Sequence, residues 1–316
     1  MWTKAIAQRR PVAVYAAAAA TIVMWGGTPI ANKIALSTID PATAGMLRSL
    51  IAGVIAGVLA LGWRLPFPAG AGPRSLLALS GLGNFAIWPL LLSLGLGMTT
   101  ASHAALIIAM IPAFTGLLAA IIDRAWPRLG WWAGVLVAGV GTFFLIGFRA
   151  DPALAADTGA TVIGDLVILL GVMVCAGGYV AGGKLSPIIG TWATSFWGLA
   201  LAAIVLAPIV GALAGRTDWA AVDASSWFAI AYMAVLGSLI GYVLWFWALG
   251  HGGIARISSW QMGQPVISVV FAAIVLGEAV TLPLVIAGAA IVAGTALTQL
   301  QRRSNAVPSS TSGRAA

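Results

Sequence analysis

Apolar residues run along this chain in long, nearly unbroken stretches that are separated by short polar connections. They do not alternate with polar residues at every second position, as the strands of a membrane barrel would. A helix needs about 20 apolar residues to cross the core of a bilayer. The pattern therefore predicts ten transmembrane helices, numbered 1 to 10, at 12–36, 42–63, 74–96, 101–122, 129–149, 164–184, 190–213, 226–250, 256–277 and 281–300.

Composition supports lipid as the solvent of this chain. Of its 316 residues, 61% are hydrophobic and 8% are charged, whereas a soluble domain carries about 25% charged residues. In lipid every backbone polar group must be satisfied internally, so we expect an all-α integral membrane protein. The basic N-terminus followed by an apolar run resembles a signal peptide, but the run continues to about Leu36. We therefore interpret it as a retained first helix.

The two halves of the chain repeat each other. MWGGTPIANK (24–33) aligns with CAGGYVAGGK (175–184) at a shift of 151 positions, and Pro112 aligns with Pro265 at a shift of 153. Five helices per repeat is an odd number, so the second repeat enters the membrane from the opposite side and the repeats are inverted. The predicted organisation is an N-terminal tail, a first five-helix repeat, an extracytoplasmic linker, a second five-helix repeat and a disordered tail, at 1–11, 12–149, 150–163, 164–301 and 302–316.

The stretch GGYVAGGKL, 177–185, nearly matches a phosphate-binding loop. Leu185 stands where that loop needs a hydroxyl for magnesium, and the stretch lies within a hydrophobic helix. The glycines are better explained by close helix packing. We therefore predict no nucleotide site, and the sequence gives no reason to expect a cofactor, a metal ion or nucleic acid.

The distribution of basic residues predicts how the chain is oriented in the membrane. If the N-terminus is cytoplasmic, 12 of the 16 basic residues fall at cytoplasmic helix ends. This asymmetry is typical of cytoplasmic loops and predicts that both termini lie in the cytoplasm. The expected location is the inner membrane of a bacterial cell.

Several motifs resemble the drug/metabolite transporter superfamily, in particular its EamA-type ten-helix members. They are MWGGTPIANKIAL, PATAGMLR and PVISVVFAAIVLGEAVTLPLVIAGAAIVAG, of which the last is the most specific because of its LGE turn. The resemblance implies two EamA-like repeats that move small organic solutes, often outward. Small multidrug-resistance relatives couple protons through a glutamate in helix 1, but no acid occurs between Val12 and Leu36, so that mechanism is not carried over.

Polar and aromatic side chains share single faces on four predicted helices, as the period of a helix allows. Lipid disfavours such faces, so we expect them to line one central cavity. Packing between helices is the competing interpretation for each residue. The candidate substrate-binding residues on these faces are Trp25, Thr28 and Asn32 of helix 1, Asn84 and Trp88 of helix 3, Tyr242 and Trp245 of helix 8, and Gln261 and Gln264 of helix 9.

Two ionisable residues complete the candidate site, and each has two interpretations. Arg48 in helix 2 either binds a substrate carboxylate or pairs with Asp40 or Glu278, and the ion pair is favoured. His103 in helix 4 either takes part in proton coupling or is a hydrogen-bonded packing residue, and packing is favoured.

The expected function is a secondary transporter, in the direction of export, for amino acids or related zwitterionic or neutral solutes, by alternating access. Multidrug efflux is the alternative within the same class. An intramembrane enzyme or a structural membrane protein is the alternative outside it, and no motif for hydrolysis supports the enzyme. Partners are expected to be a small solute and membrane lipid, with proton or ion coupling as a hypothesis and a monomer favoured.

Overall fold

The computed structural model describes residues 2–124, 129–147, 161–252 and 258–305, and this part of the chain is entirely helical. Seven helical stretches are long and apolar enough to cross a membrane. Three shorter apolar helices, Leu129–Leu145, Gln264–Leu276 and Leu282–Thr298, complete the set of ten that the apolar pattern predicts. Most of the expected linker and the end of the expected C-terminal tail lie outside the described residues.

The first repeat contains helices α1 to α5, of which three change their geometry within the span. Their bounds are α1, Trp2–Gly26 and Thr28–Ala35; α2, Pro41–Gly62; α3, Ala71–Leu82, a π-helical turn at Gly83–Ile87 and Trp88–Leu96; α4, Ala101–Ile108 and Ile111–Asp123; and α5, Leu129–Gly147. Helix α1 already begins at Trp2, within the segment expected to be a tail.

The second repeat contains helices α6 to α10. Their bounds are α6, Val162–Ile189; α7, Thr191–Leu213; α8, Ala224–Ala231, a π-helical stretch at Tyr232–Ile240 and Gly241–Gly252; α9, a 3₁₀ segment at Ser258–Gly263 followed by Gln264–Leu276; and α10, Leu282–Asn305. The end of α10 extends into the segment expected to be a disordered tail.

Contacts between helices show that the repeats are inverted. Along α3 and α6, Ser80 lies against Gly182 whereas Gly95 lies against Gly164, so the two helices are antiparallel. Helices α1 and α3 run in the same direction because two crossings separate them. Helix α6, the counterpart of α1, therefore crosses in the opposite direction to α1. The chain is an all-α integral membrane protein built from two inverted five-helix repeats.

Equivalent helices of the two repeats also pack against each other through small residues. Gly53 of α2 faces the Leu199 carbonyl of α7 so closely that a Cβ atom would not fit, and Gly134 of α5 faces the Gly294 carbonyl of α10 in the same way. Small residues let the backbones of membrane helices approach and gain van der Waals contact. These contacts hold α2–α7 and α5–α10 together as pairs.

Proline follows the interruption in four helices. Pro29, Pro89, Pro112 and Pro265 each occupy the second position of the α-helical segment that resumes after the irregular turn. Proline is tolerated there because the first turn of a helix has no partner for its N–H group in any case. The breaks in α4 and α9 are equivalent in the two repeats, and so are the π-helical stretches in α3 and α8. Helix α6 is continuous, unlike its counterpart α1.

Candidate substrate-binding site

A cavity lies between the two repeats, where the interrupted helices meet. Its described lining comes from α1, α2, α3 and α4 of the first repeat and from α6, α8 and α9 of the second. Both repeats therefore contribute to one cavity.

Eight of the eleven candidate residues line this cavity. They were candidates because each is a polar or aromatic side chain that lipid disfavours. The structure brings them together from five helices. They are Trp25, Thr28, Arg48, Asn84, Trp88, Tyr242, Gln261 and Gln264.

Three candidates lie elsewhere in the described structure. The Asn32 side chain is fully buried, and its Oδ1 atom accepts a hydrogen bond of 2.9 Å from Ser93 Oγ of α3. Trp245 is buried behind Trp25, with the two ring centroids 5.4 Å apart. His103 forms the buried pair described below. These residues support the cavity wall or another part of the bundle and do not line the cavity.

Aromatic rings form one wall of the cavity. The centroid of the Tyr242 ring lies 5.2 Å from that of Trp25 and 5.3 Å from that of Phe85. The indole of Trp25 is fixed because its Nε1–H group donates a 2.9 Å hydrogen bond to the Gly237 carbonyl in the π-helical stretch of α8. Rings held in this way present a rigid apolar surface to a solute at little cost in side-chain entropy.

The break in α1 is stabilised by side chains of the second repeat. Tyr232 Oη donates to the Met24 carbonyl at 2.6 Å, and Ser268 Oγ donates to the Gly26 carbonyl at 2.8 Å. Gln264 Nε2 reaches the Trp25 carbonyl only at 3.5 Å, the limit of a hydrogen bond. The carbonyl that the Gln264 amide approaches belongs to α1 and lies just before the break in that helix.

Arg48 does not form the ion pair that the sequence favoured. Asp40 Oδ2 instead accepts hydrogen bonds from the backbone N–H and the hydroxyl of Thr43, at the start of α2. Glu278 accepts from the backbone N–H groups of Ala101 and Ser102, at the start of α4. Both carboxylates thus satisfy helix termini, and the expected pairing of Arg48 with either of them is wrong.

His103 lies in a buried polar cluster that joins the two repeats. Its Nδ1 atom is 2.9 Å from Oδ2 of Asp165 in α6, whose other oxygen accepts a hydrogen bond from Thr99. The Asp165 side chain is fully buried and that of His103 is nearly so. A buried histidine–aspartate pair fits either packing or proton coupling, so the packing role of His103 stays a prediction.

Sequence reasoning missed several lining residues, of which Tyr179 of α6 is the most informative. Tyr179 aligns with Thr28 at the shift of 151 positions that relates the two repeats. Thr28 was a candidate, so the internal repeat itself carried the signal for Tyr179. Ser49 and Met233 also line the cavity, but an isolated serine and a methionine in apolar helices give no such signal.

Comparison with known proteins places these features in a family. The EamA-like transporter family matches the chain twice, over residues 12–147 and 162–300. The "Uncharacterized transporter YdeK" of Bacillus subtilis (strain 168) is 31% identical over 271 residues, which cover 86% of this chain and 91% of the relative. The "Uncharacterized inner membrane transporter YedA" of Escherichia coli (strain K12) is 27% identical and covers 85% of each chain.

One relative has a name that includes a substrate. The "Probable terminal-alkyne amino-acid exporter" of Streptantibioticus cattleyicolor is 26% identical over 303 residues, which cover 93% of this chain and 96% of the relative. A solved crystal structure with 20% sequence identity superposes with a TM-score of 0.60 over 93% of this chain and 99% of its own. At that identity the structure supports the fold alone.

Proposed function

The chain belongs to the EamA-like transporter family and is a multi-pass inner-membrane transporter, and from this premise we propose that it exports amino acids or related zwitterionic or neutral metabolites. The observation that carries the proposal is the cavity between the repeats, which both halves line with amides, hydroxyls and aromatic rings. Inverted repeats supply two related conformations, so a site on their interface can be exposed to each side in turn.

The chemistry of the lining favours this substrate class over multidrug efflux. Many drugs that efflux proteins carry are lipophilic cations, which an acidic side chain in the cavity would attract. The described lining contains no aspartate or glutamate, and its charged residue is Arg48. The name of the Streptantibioticus cattleyicolor relative supports amino acids as the first compounds to test.

Solute counterflow in proteoliposomes tests the proposal. Purified protein is reconstituted in liposomes that are preloaded with one unlabelled amino acid at a time, and uptake of the labelled compound is compared with that of protein-free liposomes. We expect saturable uptake without ATP for a subset of amino acids and none for ethidium. Uptake of ethidium with no amino-acid flux would favour multidrug efflux, and no flux of any compound would contradict the transport proposal.

Orientation and coupling stay predictions that the same protein can test. A periplasmic-reporter fusion after Arg303 should be inactive and a cytoplasmic-reporter fusion active, because we predict that both termini are cytoplasmic. If protons drive export, His103 and Asp165, with Glu278 and Lys33 nearby, are the titratable groups of the cluster that joins the repeats. Counterflow under imposed proton or sodium gradients, in wild type and His103→Gln, measures that coupling.

A further inference from the structure

Arg48 is a buried cation within a membrane span. It lies in the first half of α2, and its side chain is 6% exposed. A charged side chain inside a membrane is costly, and such residues normally pair with an opposite charge or serve a function. The partners of this guanidinium therefore decide its role.

The structure supplies Arg48 with few acceptors. One terminal nitrogen donates to Met233 Sδ at 3.4 Å, and its Nε atom is buried without a hydrogen-bond partner. A thioether sulfur is a weak acceptor, whereas a guanidinium carries five donors. The guanidinium is thus far from satisfied by the residues that the structure describes.

The carboxyl groups whose side chains the structure describes are all engaged elsewhere. Asp40, Asp223 and Glu278 accept hydrogen bonds at the starts of helices, Asp218 accepts one in a loop, and Asp165 is held by Thr99 and His103. None of them lines the cavity that contains Arg48. The positive charge of Arg48 is therefore not neutralised by the described part of the protein.

Two neighbours in the cavity wall indicate what an incoming group would meet. The Oδ1 atom of Asn84 is also buried without a hydrogen-bond partner, and Ser49 adjoins Arg48 on α2. A solute that carries both acceptors and donors would satisfy these groups together. An anion with two coplanar oxygens matches the fork of the guanidinium best, because both can accept parallel hydrogen bonds.

We propose that Arg48 is the anion-binding residue of this cavity, and that the transported solute is recognised through a carboxylate while its amino group is dispensable. The inference rests on the transport function proposed above and narrows its substrate class. A single carboxylate balances the single cation, whereas a phosphate dianion would leave an excess negative charge. The described lining offers no acid to pair with an ammonium group, so N-acylated and other amine-free carboxylates should also bind.

A matched ligand series tests the recognition rule. Alanine, leucine and phenylalanine are each compared with their N-acetyl derivative, which keeps the carboxylate and loses the ammonium charge, and with their amide, which loses the carboxylate. The readouts are ligand-induced thermal stabilisation of the purified protein and inhibition of flux in proteoliposomes. For at least one side chain, we expect the free acid and the N-acetyl acid to act at similar concentrations, and the amide to need at least about tenfold more.

Variants of Arg48 separate binding from folding. Arg48→Met removes an unpaired buried charge, so its melting temperature should equal or exceed that of wild type, while carboxylate affinity falls about tenfold or more. Arg48→Lys keeps the charge without the planar fork and should retain an intermediate affinity. Arg48→Gln, which keeps polarity without charge, provides a second neutral variant if the methionine variant fails to fold.

Three outcomes would overturn the inference, and each is distinct from a failure of the transport proposal. Arg48→Met could melt well below wild type while carboxylate affinity is unchanged, and that result would show that Arg48 stabilises the fold and does not bind the carboxylate. Amides could bind as well as acids, or N-acetyl acids could fail where free amino acids bind, and either result rejects the rule of recognition while transport stands. If wild-type protein moves no solute of any form, the proposed function itself fails.

Discussion

Arg48 and Asp165 are both ionisable and both buried inside apolar spans, yet their surroundings differ. Asp165 accepts a hydrogen bond from Thr99, which precedes α4, and its other oxygen lies 2.9 Å from Nδ1 of His103 in α4, so both oxygens are engaged. Arg48 faces the cavity, where the described residues offer its guanidinium the weak acceptor Met233 Sδ and leave its Nε atom without a partner. The difference teaches that a satisfied buried charge supports the fold, whereas an unsatisfied one indicates a site for a ligand.

The reason is energetic, because removing the two kinds of charge changes the free energy of unfolding in opposite directions. Deleting one member of a satisfied buried pair leaves its partners without hydrogen bonds in a medium of low dielectric, which destabilises the fold. Deleting an unpaired charge removes a desolvation penalty and leaves nothing unsatisfied. The two residues should therefore respond in opposite directions to replacement by an apolar side chain of similar size.

The largest expected effect comes from Asp165→Leu. The variant leaves Thr99 and His103 without the acceptor that the structure shows, and breaking a buried pair of this kind costs about 3–5 kcal/mol. We expect a much lower melting temperature in detergent, with unfolding measured by tryptophan fluorescence. Asp165→Asn, which keeps one acceptor oxygen, should lose less. A melting temperature equal to that of wild type would show that Asp165 does not stabilise the fold.

Glu278→Ala should have the next largest effect. The two oxygens of Glu278 accept from Ala101 N at 2.6 Å and from Ser102 N at 2.9 Å, so alanine leaves two backbone donors of the first turn of α4 without partners. The expected loss is about 1–3 kcal/mol, the cost of unsatisfied polar groups. Glu278→Gln keeps one strong acceptor and serves as the matched control in the same melting experiment. If wild type and both variants melt at the same temperature, the Glu278 cap does not stabilise the fold.

Much of the fold could be predicted because lipid imposes it on the sequence. The ten apolar runs, the inverted repeats and the proline interruptions each leave a pattern of length or spacing, and the structure confirms the ten-helix class and the inversion. The LGE turn was identified as a family motif, but the sequence does not show that its glutamate, Glu278, caps a helix. Glu278 caps a helix 177 positions away, and such a contact depends on how α9 and α4 pack.

The site was predictable in outline only. Eight candidates line the cavity because polarity inside a membrane helix restricts where a side chain can point. The sequence could not show that Asn32 turns toward Ser93, or that Asp40 and Glu278 are used at helix termini and leave Arg48 without them. These outcomes are decided by tertiary contacts between side chains that are distant in the chain.

The smallest expected change in stability, and the sharpest test of the site, comes from Gln264→Leu. The Gln264 amide lines the cavity, but its hydrogen bond to the Trp25 carbonyl is 3.5 Å long, so little stability depends on it. Ser268→Ala is the matched control one helical turn away, because Ser268 makes a 2.8 Å bond to the next carbonyl, that of Gly26, and is outside the cavity lining. We expect Gln264→Leu to weaken binding of a transported amino acid about tenfold at an unchanged melting temperature. Ser268→Ala should lower stability by about 1 kcal/mol and leave binding unchanged. If the glutamine variant instead melts early and binds normally, Gln264 serves packing, and the substrate contacts must come from other residues of the wall.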